Sequence, residues 1–259
     1  MKSKYPFILV HGIAIKDYKF IKAFGRIEKV LKDNGYVVFT AQTDGFGTIE
    51  NNAQQLKDEI NKILIETNSE KINIIAHSKG GLDSKYMITK LDMDNKVATL
   101  TTLCTPHKGS KIATKLLKLP KFLIKFIAFW INLIYKIFKD KKPDSLTVCK
   151  QLQTVDKIEI DTLNINPNIY CQSYSTTLNK STDDFLMGIP LIFSKYFEKD
   201  NSDGMVSNSS AIFANYKGNA INDSISHSQI VDFMVSKKKK EKIYAFYLAV
   251  CEELASKGY

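Results

Sequence analysis

Apolar residues along this chain fall into short unbroken runs, separated by longer stretches in which they recur every three to four positions. Residues 5–10 (YPFILV), 36–41 (YVVFTA), 71–76 (KINIIA) and 97–103 (VATLTTL) have the length and largely apolar character of buried strands, and 169–176 (IYCQSYST) looks like a later strand. Between them, 17–33, 48–67 and 79–90 carry helical spacing, the first ending at Asn34-Gly35 and the second opening on Thr48 as a capping residue. Such strands alternating with helices predict βαβ units, hence an α/β fold with a mainly parallel sheet flanked by helices.

The alternation stops after Thr105-Pro106. A Lys-rich apolar segment fills 111–142, and a helix is expected to start near Pro143-Asp144. IFSKYF at 192–197 precedes a polar turn at 200–204, and 241–256 has helical spacing in Ile243, Phe246, Tyr247 and Val250. With no internal repeat and no linker rich in Pro, Gly or Ser, the pattern predicts one domain over 1–259 with an insertion at 111–142.

A chain of 259 residues with 44% hydrophobic content can bury a core without disulfides or metals, which excludes disorder over most of its length. The formal charge is +10, and Arg26 is the only arginine. Base recognition in nucleic acids leans on arginine forks, so no nucleic-acid partner is expected. The charge is also local. Residues 111–142 hold nine lysines and one aspartate, a net +8, and 237–242 hold five lysines and one glutamate, a net +4, leaving −2 on the rest of the chain.

Cys104, Cys149, Cys171 and Cys251 lie far apart, with no C-x-x-C pair and no Cys/His spacing suited to a metal, and read as reduced, mostly buried thiols. The N-terminal MKSKYPFILVHG passes into a strand with no long apolar leader core or small-residue cleavage site. With Met1 as the native start this predicts a cytoplasmic protein, associated with a membrane surface if the insertion binds one; a different start would allow secretion.

Candidate chemistry concentrates in KINIIAHSKGGLDSKY at 71–86, where a buried strand ends at Ala76-His77-Ser78-Lys79-Gly80 and a helix follows. A nucleophile elbow needs this arrangement, because its serine sits on a sharp strand-to-helix turn whose neighbours two positions away must be small. Ala76 and Gly80 meet that requirement. The turn would expose the Ser78 hydroxyl and aim the Lys79 N–H and the positive end of the helix dipole at the reacting oxygen. The competing reading is an ordinary corner with a chance serine.

Four blocks make the chain resemble the bacterial true lipases of the α/β-hydrolase superfamily: FILVHG at 7–12, AHSKGGLDSKY at 76–86, TTLCTPHKGS at 101–110, and DGMVSNSSA at 203–211 with the later His227. Ala76 departs from the commoner Gly, and Lys85 stands where Arg is usual. The resemblance implies an α/β-hydrolase fold and the chain order Ser, acid, His. That order selects His227, in the loop-like NDSISHSQ, over His11, His77 and His107 as the base. Asp203 matches the family's Asp-Gly block as the acid, with Asp200 and Asp223 as competitors. Ile13 and Lys79 would supply the oxyanion N–H donors. Some members bind calcium near the catalytic histidine. Here Ser228 and Gln229 follow His227 where an Asp is expected, and Asp183 or Asp184 would offer a single ligand, so no metal and no cofactor is assigned.

The resembling lipases carry a mobile lid after the TPHKGS block, at the place of the 111–142 insertion. On a helix from 121 to 139, at about 100° per residue, Lys121, Lys125, Asn132, Lys136 and Lys139 share one narrow stripe. The remaining surface is apolar and includes Phe122, Phe126, Phe129, Trp130, Leu133 and Ile134. A membrane span and a buried core helix are the competitors, the first disfavoured by the lysines that break the segment. A helix lying in a lipid interface accounts for both the wide apolar face and the lysine stripe. The expectation is a serine hydrolase that cleaves carboxylic esters of lipids through an acyl-Ser78 intermediate, with a lipid surface as partner of the lid. A carboxylesterase of short soluble esters and a non-catalytic lipid-binding protein on the same fold are the alternatives.

Overall fold

The five apolar runs form strands of a single sheet in the computed structural model, which describes residues 3–14, 16–153, 164–197 (side chains to 192) and 200–259. They are β1 (Phe7–Val10), β2 (Val38–Thr40), β3 (Ile72–His77), β4 (Val97–Leu103) and β5 (Tyr170–Thr177), and a sixth strand, β6 (Asn215–Ser224), closes the sheet at one edge. The order is β2-β1-β3-β4-β5-β6 with every pairing parallel. Parallel neighbours must be joined by crossovers, here largely helices, which cover both faces.

On one face α1 (Ile27–Asp33) and α9 (Lys237–Ser256) pack Leu31, Tyr247, Val250 and Leu254 against Phe7, Leu9 and Ile75. On the other, α2 (Ile49–Thr67) and α3 (Lys79–Lys90) pack Leu56, Ile60 and Met87 against Ile8, Val10 and Ile74. Successive residues of β1 thus serve opposite cores, which is why the run is apolar at every position. Thr48 caps α2 as expected, accepting from the Asn51 N–H at 3.3 Å.

Two boundaries differ from expectation. The helix expected over 17–33 begins only at Ile27, because Lys19 (φ +50°) and Gly25 (φ +48°) turn the chain into the left-handed region. The distant Asp232 fills the break, its carboxylate accepting from the Arg26 N–H at 2.9 Å. The C-terminal helix starts at Lys237 and not 241, with four lysines on the positive end of its dipole. Asp232, Gln229 and Asp223 offset this by taking Lys240, Lys239 and Lys242. Residues 192–197 belong to a longer helix, α7 (Phe185–Phe197).

The insertion folds as α4 (Lys111–Leu116) and α5 (Lys121–Ile137), followed by α6 (Ser145–Gln151), and a short α8 (Asn208–Ala211) precedes β6. Among the described residues no helix is long and apolar enough to cross a membrane. All four cysteines are free thiols.

Candidate active site

β3 ends at His77 and α3 begins at Lys79, so the whole turn falls on Ser78, at φ +54° and ψ −131°. For a residue with a Cβ this conformation costs on the order of 1–3 kcal/mol. It persists because both flanks are fixed: the Ser78 N–H donates to Leu103 O at 2.9 Å, and the first turn of α3 is pressed onto the end of β1. A Cβ at Gly80 would lie 2.5 Å from the His11 carbonyl oxygen and 2.7 Å from that of Val10. Only glycine fits there, which gives the small residue two positions after the serine its physical reason.

His227 follows β6 on a loop and brings its Nε2 to 2.9 Å from Ser78 Oγ. Its Nδ1 is 2.7 Å from Asp203 Oδ2, and its backbone N–H donates to Asp203 O at 3.0 Å. Asp203 sits in a turn completed by Gly204 (φ +105°), where its Oδ1 accepts the N–H groups of Met205 and Val206 at 2.9 and 2.8 Å. A carboxylate so held accepts the Nδ1 proton, which leaves the Nε2 lone pair facing the Ser78 hydroxyl. The competing acids lie elsewhere: Asp200 accepts the Ser209 N–H, and Asp223 pairs with Lys242.

The chain matches the family described as "Putative serine esterase (DUF676)" over residues 2–156, more than half its length. The chain belongs to this family. Over 92 residues (34% of this chain, 28% of the relative) it is 40% identical to triacylglycerol lipase 2 of Saccharomyces cerevisiae. Over 117 residues (43% of this chain, 36% of the relative) it is 36% identical to a triacylglycerol lipase of Pseudarthrobacter phenanthrenivorans. It thus spans about a third of the length of these curated relatives. The crystal structure of Staphylococcus hyicus lipase superposes with a TM-score of 0.72 at 14% identity, covering 98% of this chain and 96% of the other, which identifies the fold as that of the α/β-hydrolases.

In this chain the remaining expected site residues surround Ser78. Gly12 touches it, Ile13 follows Gly12, and Lys79 opens α3. The Lys79 side chain turns into the protein and pairs with Asp83 at 2.7 Å, both buried. The other three histidines are buried, and none of them has a hydrogen bond to Ser78 or Asp203 among the described residues. The His11 Nδ1 bonds Gly12 O at 2.8 Å, and His107 Nε2 lies 3.0 Å from Thr102 Oγ1 with its ring stacked on Phe213. His77 packs its ring on that of His227, 4.6 Å between centroids. Burial lowers the pKa of all three, His77 far below the usual value and His107 to about 3.

Ser78 and His227 open on a cavity of about 450 Å³. Its walls are aliphatic, with Leu116, Leu117, Val148 and Leu152 on one side and Met187 and Val206 on another. The 111–142 insertion roofs it: Ile124, Ile127, Ala128 and Ile131 of α5 line the cavity. The helix surface is therefore split in a way periodicity alone did not reveal. The residues singled out from the sequence, Phe122, Phe126, Phe129, Trp130, Leu133 and Ile134, all face solvent, with 43–76% of their surface exposed. Asn132, expected in the lysine stripe, instead accepts the Ser145 N–H at the start of α6.

Asp184 lies close to the His227 loop. It accepts from the hydroxyls of Ser226 and Ser228 and from the N–H groups of Leu186 and Met187. Burial raises its pKa, but these donors outweigh burial and hold the carboxyl below its usual range. Asp183 takes the Ser224 hydroxyl. With its oxygens facing donors, Asp184 does not fit the role of a calcium ligand, and Ser228, which follows His227 where an Asp is expected, donates its hydroxyl to it. Sequence reading missed Met187 of α7 in the cavity wall, and it missed the buried acids Asp44 and Asp140. The signal for Asp140 was its standing alone among nine lysines.

Proposed function

We propose that this chain is a carboxylic ester hydrolase acting on lipid esters through an acyl-Ser78 intermediate. The observation that carries the reading is the unbroken hydrogen-bonded chain Asp203–His227–Ser78 opening on an aliphatic cavity. His227 Nε2 takes the Ser78 proton as Oγ attacks the ester carbonyl, and Asp203 stabilises the resulting imidazolium. The oxyanion is met by the N–H groups of Ile13 and Lys79. Collapse of the tetrahedral adduct breaks the bond to the alcohol, which leaves with the proton from His227. Water, deprotonated by the same nitrogen, then releases the acid and restores Ser78.

The aliphatic walls suit an acyl chain, and the relatives named triacylglycerol lipases point to the same substrate class. We read 111–142 as the lid. Its inner face covers the cavity, and its exposed aromatic face, flanked by Lys121, Lys125 and Lys136, suits an anionic lipid surface.

The test is hydrolysis of 4-nitrophenyl esters of increasing acyl length by wild type and Ser78→Ala, with fluorophosphonate labelling of both. Wild type should be labelled and should favour longer chains, and the variant should lose label and on the order of 10⁵-fold in kcat. Undiminished hydrolysis by Ser78→Ala sinks the mechanism. Preference for short soluble esters, with no rate rise above the substrate's solubility limit, replaces lipase by soluble carboxylesterase.

A further inference from the structure

Tyr135 lies near the C-terminal end of α5, and its hydroxyl donates to the carbonyl oxygen of Ala14 at 2.7 Å. Ala14 directly follows Ile13 and is held at φ +72°, a conformation that side chains with a Cβ avoid. Its own N–H donates to Gly45 O at 3.0 Å. The Tyr135 ring completes the clamp. It lies so close to Gly45 that a Cβ there would stand 2.8 Å away, and it meets Phe46 edge-on with 4.5 Å between centroids.

A second tie fixes the same end of the helix. The chain leaves α5 through Lys139 in the left-handed region, and Asp140 then accepts the N–H groups of Gly45 and Phe46 and the Lys16 ammonium at 2.8 Å. Asp44 answers by accepting the N–H groups of Lys141 and Lys142, both at 2.8 Å. The end of α5, the 44–46 loop and the 12–14 loop therefore form one hydrogen-bonded body.

We infer that Tyr135 is a positioning residue for the oxyanion loop, its hydroxyl holding Ala14 in the strained conformation that aims the Ile13 N–H at the substrate oxygen. The inference rests on the reading of Ser78 as nucleophile and Ile13 as oxyanion donor. A non-glycine residue at φ +72° needs outside bonds to stay there, and Ala14 has one at each end of its peptide link, from Gly45 and from Tyr135. Burial, with the neighbouring Asp140 carboxylate, pushes the Tyr135 pKa to about 12, so the hydroxyl keeps its proton, and its donor role, across neutral pH. The helix that roofs the cavity thereby carries, at its fixed end, the support of the catalytic loop beneath it.

Tyr135→Phe keeps the ring and removes only the hydroxyl. With a short soluble ester, kcat should fall about 10-fold with KM changed less than 2-fold, and affinity for an alkyl trifluoromethyl ketone, which Ser78 converts to a tetrahedral hemiketal, should fall in parallel. Gly45→Ala, which drives a methyl group into the Tyr135 ring, should reproduce both losses and decides the matter if Tyr135→Phe fails to fold. Wild-type kcat in the folded variants overturns the inference. So does a rise in KM alone, which would make Tyr135 part of the substrate pocket, or a loss of kcat with ketone affinity intact. If the ketone fails to inhibit wild type at all, it is the Ser78 mechanism that falls.

Discussion

Gly12 passes so close to Ser78 that a Cβ on it would stand 2.7 Å from the Ser78 Cβ and 3.2 Å from its Oγ. This approach seats the 12–14 loop beside the hydroxyl and leaves no room for a methyl group. Gly12→Ala should therefore displace either the loop or the serine. We expect kcat/KM for a soluble ester to drop at least 100-fold in protein that still folds, checked by circular dichroism alongside the kinetics. Activity within 3-fold of wild type would show that the two segments are not packed as described.

Asp184 should hold the loop that carries His227. Asp184→Ala removes the acceptor of the Ser226 and Ser228 hydroxyls, and since these can still bond each other at 3.2 Å, one donor is left buried and unpaired at a cost of roughly 1–3 kcal/mol. We expect a lower melting temperature and a loss of kcat together with a rise in KM, because Asp184 ties down both the His227 loop and, through the Leu186 and Met187 N–H groups, the start of α7 that brings Met187 to the cavity wall. Chelation with EDTA should leave wild-type activity unchanged; a loss restored by calcium would contradict the reading of Asp184 as a hydrogen-bond acceptor.

Acid should destabilise the fold in a defined window. His11, His77 and His107 are buried and neutral, with pKa values lowered in the folded state and His107 at about 3. The unfolded chain binds their protons near pH 6.5, so between there and the folded values the unfolded state holds more protons, and stability falls as pH falls. Each histidine adds a slope of about 1.4 kcal/mol per pH unit. Urea melts from pH 7 to pH 4 should show this decline, and His107→Gln should make it shallower by one proton's worth; an unchanged slope in that variant would refute the assignment.

Trp130 is the only tryptophan and lies on the exposed face of α5. Its fluorescence therefore reports on the proposed lid alone. Vesicles rich in anionic lipid should shift its emission to the blue, and added salt should weaken the effect by screening the neighbouring lysines. Phe126→Asp should abolish the shift while leaving hydrolysis of a short soluble ester within about 2-fold. No shift on any vesicle would remove the lipid surface as the partner of this helix.

The sheet was legible because its strands are buried on both faces. FILV is apolar throughout, INIIA departs from that only at Asn73 and VATLTTL only at three threonines, and burial of that kind leaves a nearly continuous signature. β6 left none: Asn215–Ser224 is an edge strand, polar on its open side, with Gly218 at φ +87° and a shifted register, and only Ala220 and Ile221 lean on the core. The expected helix at 17–33 failed for a related reason, since its break at Gly25 is stabilised by Asp232 from the far end of the chain. Local periodicity carries no trace of a partner so distant.

By itself the sequence determined the parallel sheet and marked the elbow at Ser78, through strand continuity and a small-x-Ser-x-Gly turn. The resemblance to the lipases and the chain order it implies pick out Asp203 and His227, with Asp200 and Asp223 as competitors that the structure removes by bringing Asp203 to His227. Tertiary structure alone decided how the apolar arc of α5 divides between cavity and solvent, and that its far end clamps Ala14 through Tyr135 and Asp140. Those outcomes depend on which surfaces meet across more than a hundred residues, and a helical wheel assigns an angle to each side chain without saying what stands opposite it.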